Sequence, residues 1–134
     1  MPEPPEPPAA EAYVLVVDDE EGVRETLCDL VQLVGCRAIA AANGAEALIL
    51  LRTERPCLII LDLLMPVMSG EEMLAAMQDQ PDLASLPVLI STSVPSRAPK
   101  GLPVVPKPID VKVMWEWIRR TCPCEGGKPA PARV

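Results

Sequence analysis

The chain has 134 residues, 49% of them hydrophobic, enough for one domain with a real core and too short for two comfortable ones. Its net charge of −7 argues against nucleic acid as a direct partner, since phosphate binding needs clustered Lys and Arg. Histidine is absent, which removes Ser-His-Asp and Cys-His catalysis, histidine metal sites and any role as a phosphohistidine carrier.

Residues 1–12 carry Pro at five positions with interspersed Glu and are expected to form a disordered Pro-rich arm. Tyr13 to Val17 reads as a first strand. A helical stripe follows at Val23, Leu27, Leu30, Val31 and Val34 and stops at Gly35. Cys36 to Ala41 gives a short second strand. Asn43 then looks like the N-cap of a helix through Ala47, Leu48 and Leu51. After Pro56 the run Leu58 to Leu61 is a third strand, and Ser69 to Gln78 a third helix with Met73, Leu74 and Met77 inward. Val88 to Ser91 is the fourth strand and Val104-Val105 a brief fifth. Asp110 caps a last helix reaching about Cys122, with Val111, Met114 and Ile118 inward. On that helix Trp115 and Trp117 lie about 200° apart, so at least one is expected to be substantially exposed. Residues 123–134 read as a disordered tail or linker, so the domain spans 13–122.

No apolar stretch approaches the length of a membrane span and no signal-peptide pattern opens the chain, so a cytoplasmic location is expected. The five cysteines (Cys28, Cys36, Cys57, Cys122 and Cys124) are odd in number and contain no pair of CxxC elements. Reduced thiols are expected. Cys122-Pro123-Cys124 invites metal or redox chemistry, but without His or other ligands nearby the inert reading is preferred.

Alternating strand and helix imply a parallel sheet covered by helices on both faces, with ligands outside the carboxyl ends of the strands. Asp18-Asp19 closes the first strand and Asp62 the third. Three acids in one crevice repel one another and call for a cation, which points to a Mg²⁺ site beside a potential phosphoryl acceptor. Thr92 follows the fourth strand and Lys107 the fifth, on the same rim, where a hydroxyl and a lysine suit phosphoryl oxygens. Each residue alone has a bland explanation as a cap, turn or loop residue. Together, each at its own strand end, they favour a functional pocket.

The stretches VVDDEEGVRETL, LDLLMPVMSG, PVLISTS and VPKP together resemble the receiver domain of two-component response regulators over about residues 13 to 122. The resemblance implies a flavodoxin-like, doubly wound, five-stranded parallel sheet. It also implies that Asp62 is the phosphoacceptor, and that Asp18, Asp19, Asp62 and the backbone carbonyl of Leu64 hold Mg²⁺. Thr92 would be the switch hydroxyl. Lys107 would be the cation bonded to Asp62 and later to the phosphoryl group, followed by a cis peptide before Pro108. The implied partners are a sensor histidine kinase or phosphotransfer protein upstream and a further protein downstream, with no nucleic acid or membrane. The domain would assist its own phosphorylation without being an enzyme.

The sequence departs from that pattern between Thr92 and Lys107. This segment is short and carries Pro95, Pro99, Pro103 and Pro106, each costing a helix interior roughly 3 kcal/mol. The fourth helix, normally present here, is therefore expected to be missing or vestigial, and Val104 stands where an aromatic switch residue is usual. No output domain is recognised after residue 122, so a stand-alone receiver is expected, the alternative being a piece of a longer protein in which GGKPAPARV starts a linker. The reading is a phosphorelay switch. Alternatives are a pseudo-receiver acting as a phosphorylation-independent interaction module and, last, a Mg²⁺-dependent phosphohydrolase.

Overall fold

A computed structural model describes residues 13–122; the arm at 1–12 and the tail at 123–134 lie outside the described residues. In chain order the elements are β1 (Tyr13–Val17), α1 (Glu21–Val34), β2 (Arg37–Ala41), α2 (Gly44–Leu50), β3 (Leu58–Leu61), α3 (Gly70–Gln78), α4 (Pro81–Ala84), β4 (Val88–Thr92), β5 (Val104–Pro106) and α5 (Val111–Thr121). All strand pairs are parallel, in the order β2-β1-β3-β4-β5. Strand order reverses beside β1, so a crevice opens between the carboxyl ends of β1 and β3.

The three central strands are buried on both sides. β1, β3 and β4 consist of buried residues throughout, as continuous apolar runs in a parallel sheet require. One face packs against α1 and α5 through Val14, Val16, Leu27, Val31, Ile60 and Ile118. The other packs against α2 and α3 through Leu15, Ala47, Ile59, Leu61, Met73 and Met77. With Phe absent, these aliphatic side chains fill both cores, and Trp115 is the largest fully buried side chain.

The helix ends match their sequence signals. Gly35, at φ 105°, ends α1 in the left-handed region, where glycine carries no Cβ penalty. The Asn43 and Asp110 side chains accept from Glu46 N–H and Val113 N–H. Ser69 and Glu72 form a reciprocal capping box at the start of α3.

An extra turn after α3 and the packing of α5 differ from expectation in detail, while the β4–β5 connection matches it. Residues 81–84 form the extra turn α4, started by Pro81 at its first position. Between β4 and β5 there is only a three-residue 3-10 turn, Pro95–Arg97, the vestige that the prolines dictate. On α5, Trp115 is buried while Trp117 is half-buried, packed on the core edge with the Arg120 guanidinium over its ring at 5.4 Å. The two rings do part, but the outer one falls short of substantial exposure.

The expectation of reduced thiols is corrected. Cys57, just before β3, is disulfide-bonded to Cys122, just after α5, with Cα atoms 5.4 Å apart. Cys36 is also in disulfide form, and Cys28 is a free thiol. Sequence spacing misses the pairing because Cys57 and Cys122 are 65 residues apart and meet only when α5 returns along the sheet.

Candidate functional site

Asp18, Asp19, Asp62, Thr92 and Lys107 all emerge at the carboxyl edge of the sheet, directly after β1, β3, at the end of β4, and after β5. Strand pairing sets the depth of each. Asp62 N–H donates to Val17 C=O at 3.0 Å, and Asp18 N–H donates to Ala41 C=O at 3.1 Å, which continue the ladders one step past the strands. Lys107 N–H donates to Thr92 C=O at 3.0 Å and holds the lysine beside β4. Asp18 and Asp62 are buried, at 1% and 4% exposure, and Thr92 is fully buried. Asp19 faces solvent.

The Lys107 side chain reaches across the crevice. Its Nζ donates to Asp18 Oδ2 at 2.7 Å and to Asp62 Oδ2 at 3.1 Å, and lies 3.8 Å from Glu20 Oε1. The peptide bond from Lys107 to Pro108 is cis. Asp18 Oδ1 accepts from Glu20 N–H at 2.9 Å. Leu64 N–H points at Asp62 Oδ1 at 3.4 Å, so the backbone of Leu64 borders the acids. Thr92 Oγ1 accepts from Val94 N–H at 3.2 Å.

Burial pushes the Asp18 carboxyl up from the ordinary carboxylate value, against the lowering effect of its bonds from Lys107 and the Glu20 amide. Burial by itself would lower the Lys107 ammonium. The bonds from Asp18 and Asp62 outweigh it, and the net direction is up. One lysine thus faces three acids and cannot neutralise them all. Oxygens of Asp18, Asp19 and Asp62 lie within 4.8 Å of one another, which matches the spread of about 3 to 4 Å between ligands around an octahedral Mg²⁺. The donor set is all oxygen and suits a hard cation. The residues fit the ion.

The loop after β3 is clamped onto this pocket. Gly70 N–H donates to Leu63 C=O at 3.0 Å, and Gly44 N–H to Met68 C=O at 3.1 Å. Met68 N–H donates to Pro66 C=O at 2.7 Å across Val67, whose φ of 69° makes a strained γ-turn. Gly70 has no room for a side chain: an added Cβ would sit 2.9 Å from Leu63 Cα and closer still to the Asp62 carbonyl oxygen.

Two contributors were not singled out from sequence. Arg24 Nη1 donates to Asp18 C=O at 2.8 Å, locking the strand end to α1, and the Glu20 carboxylate borders Lys107. Both belong to the acidic-basic run DDEEGVR, whose spacing places Arg24 over Asp18 once α1 is known to start at Glu21.

Comparison with known proteins gives a consistent result. The family model described as "Response regulator receiver domain" matches residues 14–100. The chain is 36% identical over 81 residues to the "Probable transcriptional regulator ycf27" of Porphyra purpurea, covering 60% of this chain and 32% of that one. It is 36% identical over 80 residues to the polar-differentiation response regulator DivK of Brucella anthropi, covering 60% of this chain and 65% of that one. The chain therefore spans about a third of the first relative and just under two thirds of the second. Among solved structures, chemotaxis protein CheY4 of Vibrio cholerae superposes with a TM-score of 0.72 at 29% identity, over 83% of this chain and 98% of that one.

Proposed function

The chain belongs to the response regulator receiver domain family, and from that premise we propose that it is a phosphorylation-operated switch whose Asp62 accepts a phosphoryl group. Receiver domains are signal-transduction modules that work with histidine kinases or phosphotransfer proteins. For this chain the donor is a phosphohistidine on such a protein, and the output is contact with a further protein. No helix of the described residues is long and apolar enough to cross a membrane, and we place the chain in the cytoplasm with its donor.

The observation that carries this reading is the Lys107 ammonium, held by Asp18 and Asp62 together in a buried crevice. A purely structural lysine needs one partner; this one is poised where charge develops when the Asp62 carboxylate attacks phosphorus in line. Asp18, Asp19 and Asp62 would hold Mg²⁺, with the Leu64 carbonyl completing the protein's share, and the bound ion supplies charge neutralisation for the incoming phosphoryl oxygens. Asp62 Oδ attacks, and the phosphohistidine nitrogen leaves. Lys107 Nζ then turns from the carboxylates to the phosphoryl oxygens. Thr92 gives up its bond with Val94 N–H and donates its hydroxyl to the same oxygens.

A second reading, the constitutive interaction module, is favoured by one observation: only a 3-10 turn joins β4 to β5, where the resemblance leads one to expect a helix that transmits the signal. Intact mass after incubation with Mg²⁺ and acetyl phosphate or phosphoramidate decides between them. One added phosphoryl group, lost in Asp62→Asn and Asp62→Ala, is the expected result. A stable adduct on Asp62→Ala, or none on wild type, would refute the switch.

A further inference from the structure

Of the three clustered acids, Asp18 and Asp62 are buried and Asp19 faces solvent. Among the described residues none donates a hydrogen bond to the Asp19 carboxylate. Its position is therefore set by its backbone, and first by the peptide unit that joins it to Asp18. The peptide plane before Asp18 belongs to the sheet ladder, since Asp18 N–H donates to Ala41 C=O at 3.1 Å. The next plane lies past the end of β1, and its carbonyl, that of Asp18, accepts from Arg24 Nη1 at 2.8 Å. A peptide unit is planar, so fixing that carbonyl fixes Asp19 N and Cα with it.

We propose that Arg24 is a positioning residue for the Mg²⁺ site: by holding the Asp18 carbonyl it aims the Asp19 carboxylate at the ion. This rests on the reading of Asp18, Asp19 and Asp62 as a Mg²⁺ site. Electrostatics alone gives no reason for a cation here. Arg24 stands near the start of α1, close to the positive end of the helix dipole, where a cation is disfavoured. It also adjoins a pocket whose donor set suits a divalent cation. What the guanidinium gains in return is the short, charge-assisted bond to the strand end.

Two effects of opposite sign meet at this residue. As a charge, Arg24 repels Mg²⁺, and its removal would tighten binding a few-fold. As a donor, it fixes the frame from which Asp19 reaches the ion, and losing such an outer hydrogen bond weakens metal affinity by about 10- to 100-fold. The geometry puts the second ahead, because the repulsion is felt across a pocket that already carries three carboxylates and opens to water at Asp19. A clamp that served only to join β1 to α1 would change stability and leave metal affinity alone.

The test is a calorimetric Mg²⁺ titration of the metal-free full chain and its variants, with the fold of each checked by circular dichroism. Wild type is expected to bind one Mg²⁺ per chain. Arg24→Met keeps the apolar stem but loses charge and donor, and is expected to bind about 10-fold more weakly. Arg24→Lys, whose ammonium can still donate to the Asp18 carbonyl, is expected within about 3-fold of wild type. Arg37→Met makes the same charge change at the start of β2, on the opposite edge of the sheet, and should leave affinity unchanged. In phosphorylation by acetyl phosphate, Arg24→Met is expected to need about 10-fold more Mg²⁺ for half its full rate and to reach the wild-type rate at saturation. Where Arg24→Met does not fold, Arg24→Gln carries the same comparison, since it removes the charge and shortens the reach. Binding by these variants as tight as wild type, or tighter, would overturn the proposal and leave the Mg²⁺ site standing. No Mg²⁺ bound by wild type would remove the site itself and the role of Arg24 with it.

Discussion

Replacing Gly70 by alanine tests whether the α3 start and the phosphoacceptor loop are as tightly locked as the geometry states. The new Cβ would lie 2.9 Å from Leu63 Cα and 3.1 Å from the Asp62 carbonyl carbon, with the carbonyl oxygen nearer still. Ordinary carbon–carbon contact is about 3.5 to 4.0 Å, so the backbones must separate by roughly 0.5 to 1 Å. All the obstructing atoms are main chain, so no side chain can swing away. Separation also stretches the 3.0 Å bond from Gly70 N–H to Leu63 C=O, worth about 1 kcal/mol. Adding overpacking strain, the expected loss is about 3 kcal/mol, the upper part of the usual range. For a domain of this size that lowers Tm by roughly 10 to 20 °C. The control is Gly22→Ala, where an added Cβ meets nothing within 4 Å and a helix gains up to about 1 kcal/mol from losing glycine. Urea unfolding of both variants, followed by circular dichroism, gives the comparison. A Gly70→Ala midpoint within experimental error of wild type would refute the close approach. Because Asp62 is the residue displaced, phosphorylation by acetyl phosphate is expected to slow in Gly70→Ala and to be normal in Gly22→Ala.

Lys107→Ala strips two buried carboxylates of their cation and is expected to cost about 3 kcal/mol in metal-free buffer, with Mg²⁺ restoring much of it; denaturation curves in which the ion makes no difference to the variant would count against the paired-acid geometry. Asp19→Asn should weaken Mg²⁺ binding in a fluorescence or calorimetric titration, and wild-type affinity there would remove Asp19 from the metal site. Tyr13, the single tyrosine, has its phenol pushed up to about 12, first by burial and then by Glu54. The folded state therefore holds its proton more tightly than the unfolded chain, so the associated stability is complete below pH 10 and lost as pH rises through about 12, on the order of 2 kcal/mol. Absorbance titration should show the late midpoint, Tyr13→Phe should abolish the window, and a midpoint near 10 would show the phenol to be solvated. Leu64 and Val94, two residues past Asp62 and Thr92, cannot orient water by hydrogen bonding. Slow loss of the aspartyl phosphate is therefore expected, and Leu64→Asn and Val94→Glu should hasten it; unchanged or slower decay in both would refute this.

The sequence by itself determined the sheet, the helices on both faces and the rim on which the candidate site stands. Those features are encoded locally: buried runs such as Leu58–Leu61 end in a polar residue, caps such as Asn43 and Asp110 mark where helices begin, and the four prolines from 95 to 106 forbid a helix. In a parallel sheet, knowing that a residue follows a strand is enough to place it on the carboxyl edge, so Asp18, Asp62, Thr92 and Lys107 could be grouped from pattern alone. Tertiary structure decided everything that depends on two distant segments meeting. The choice of Asp18 as a Lys107 partner, nearer than Asp62, follows from how the ammonium crosses the crevice. The tight seat of Gly70 depends on the approach of α3 to the loop after β3. The burial of Trp115 and the half-burial of Trp117 follow from how α5 packs on the core between α1 and the sheet. The cysteines show the limit most clearly, because Cys36, Cys57 and Cys122 have no spacing in common and become one cluster only when the amino ends of β2 and β3 and the end of α5 reach the same edge. Periodicity reports which face of an element is buried; it carries no information about which side chains from separate elements end up within bonding distance.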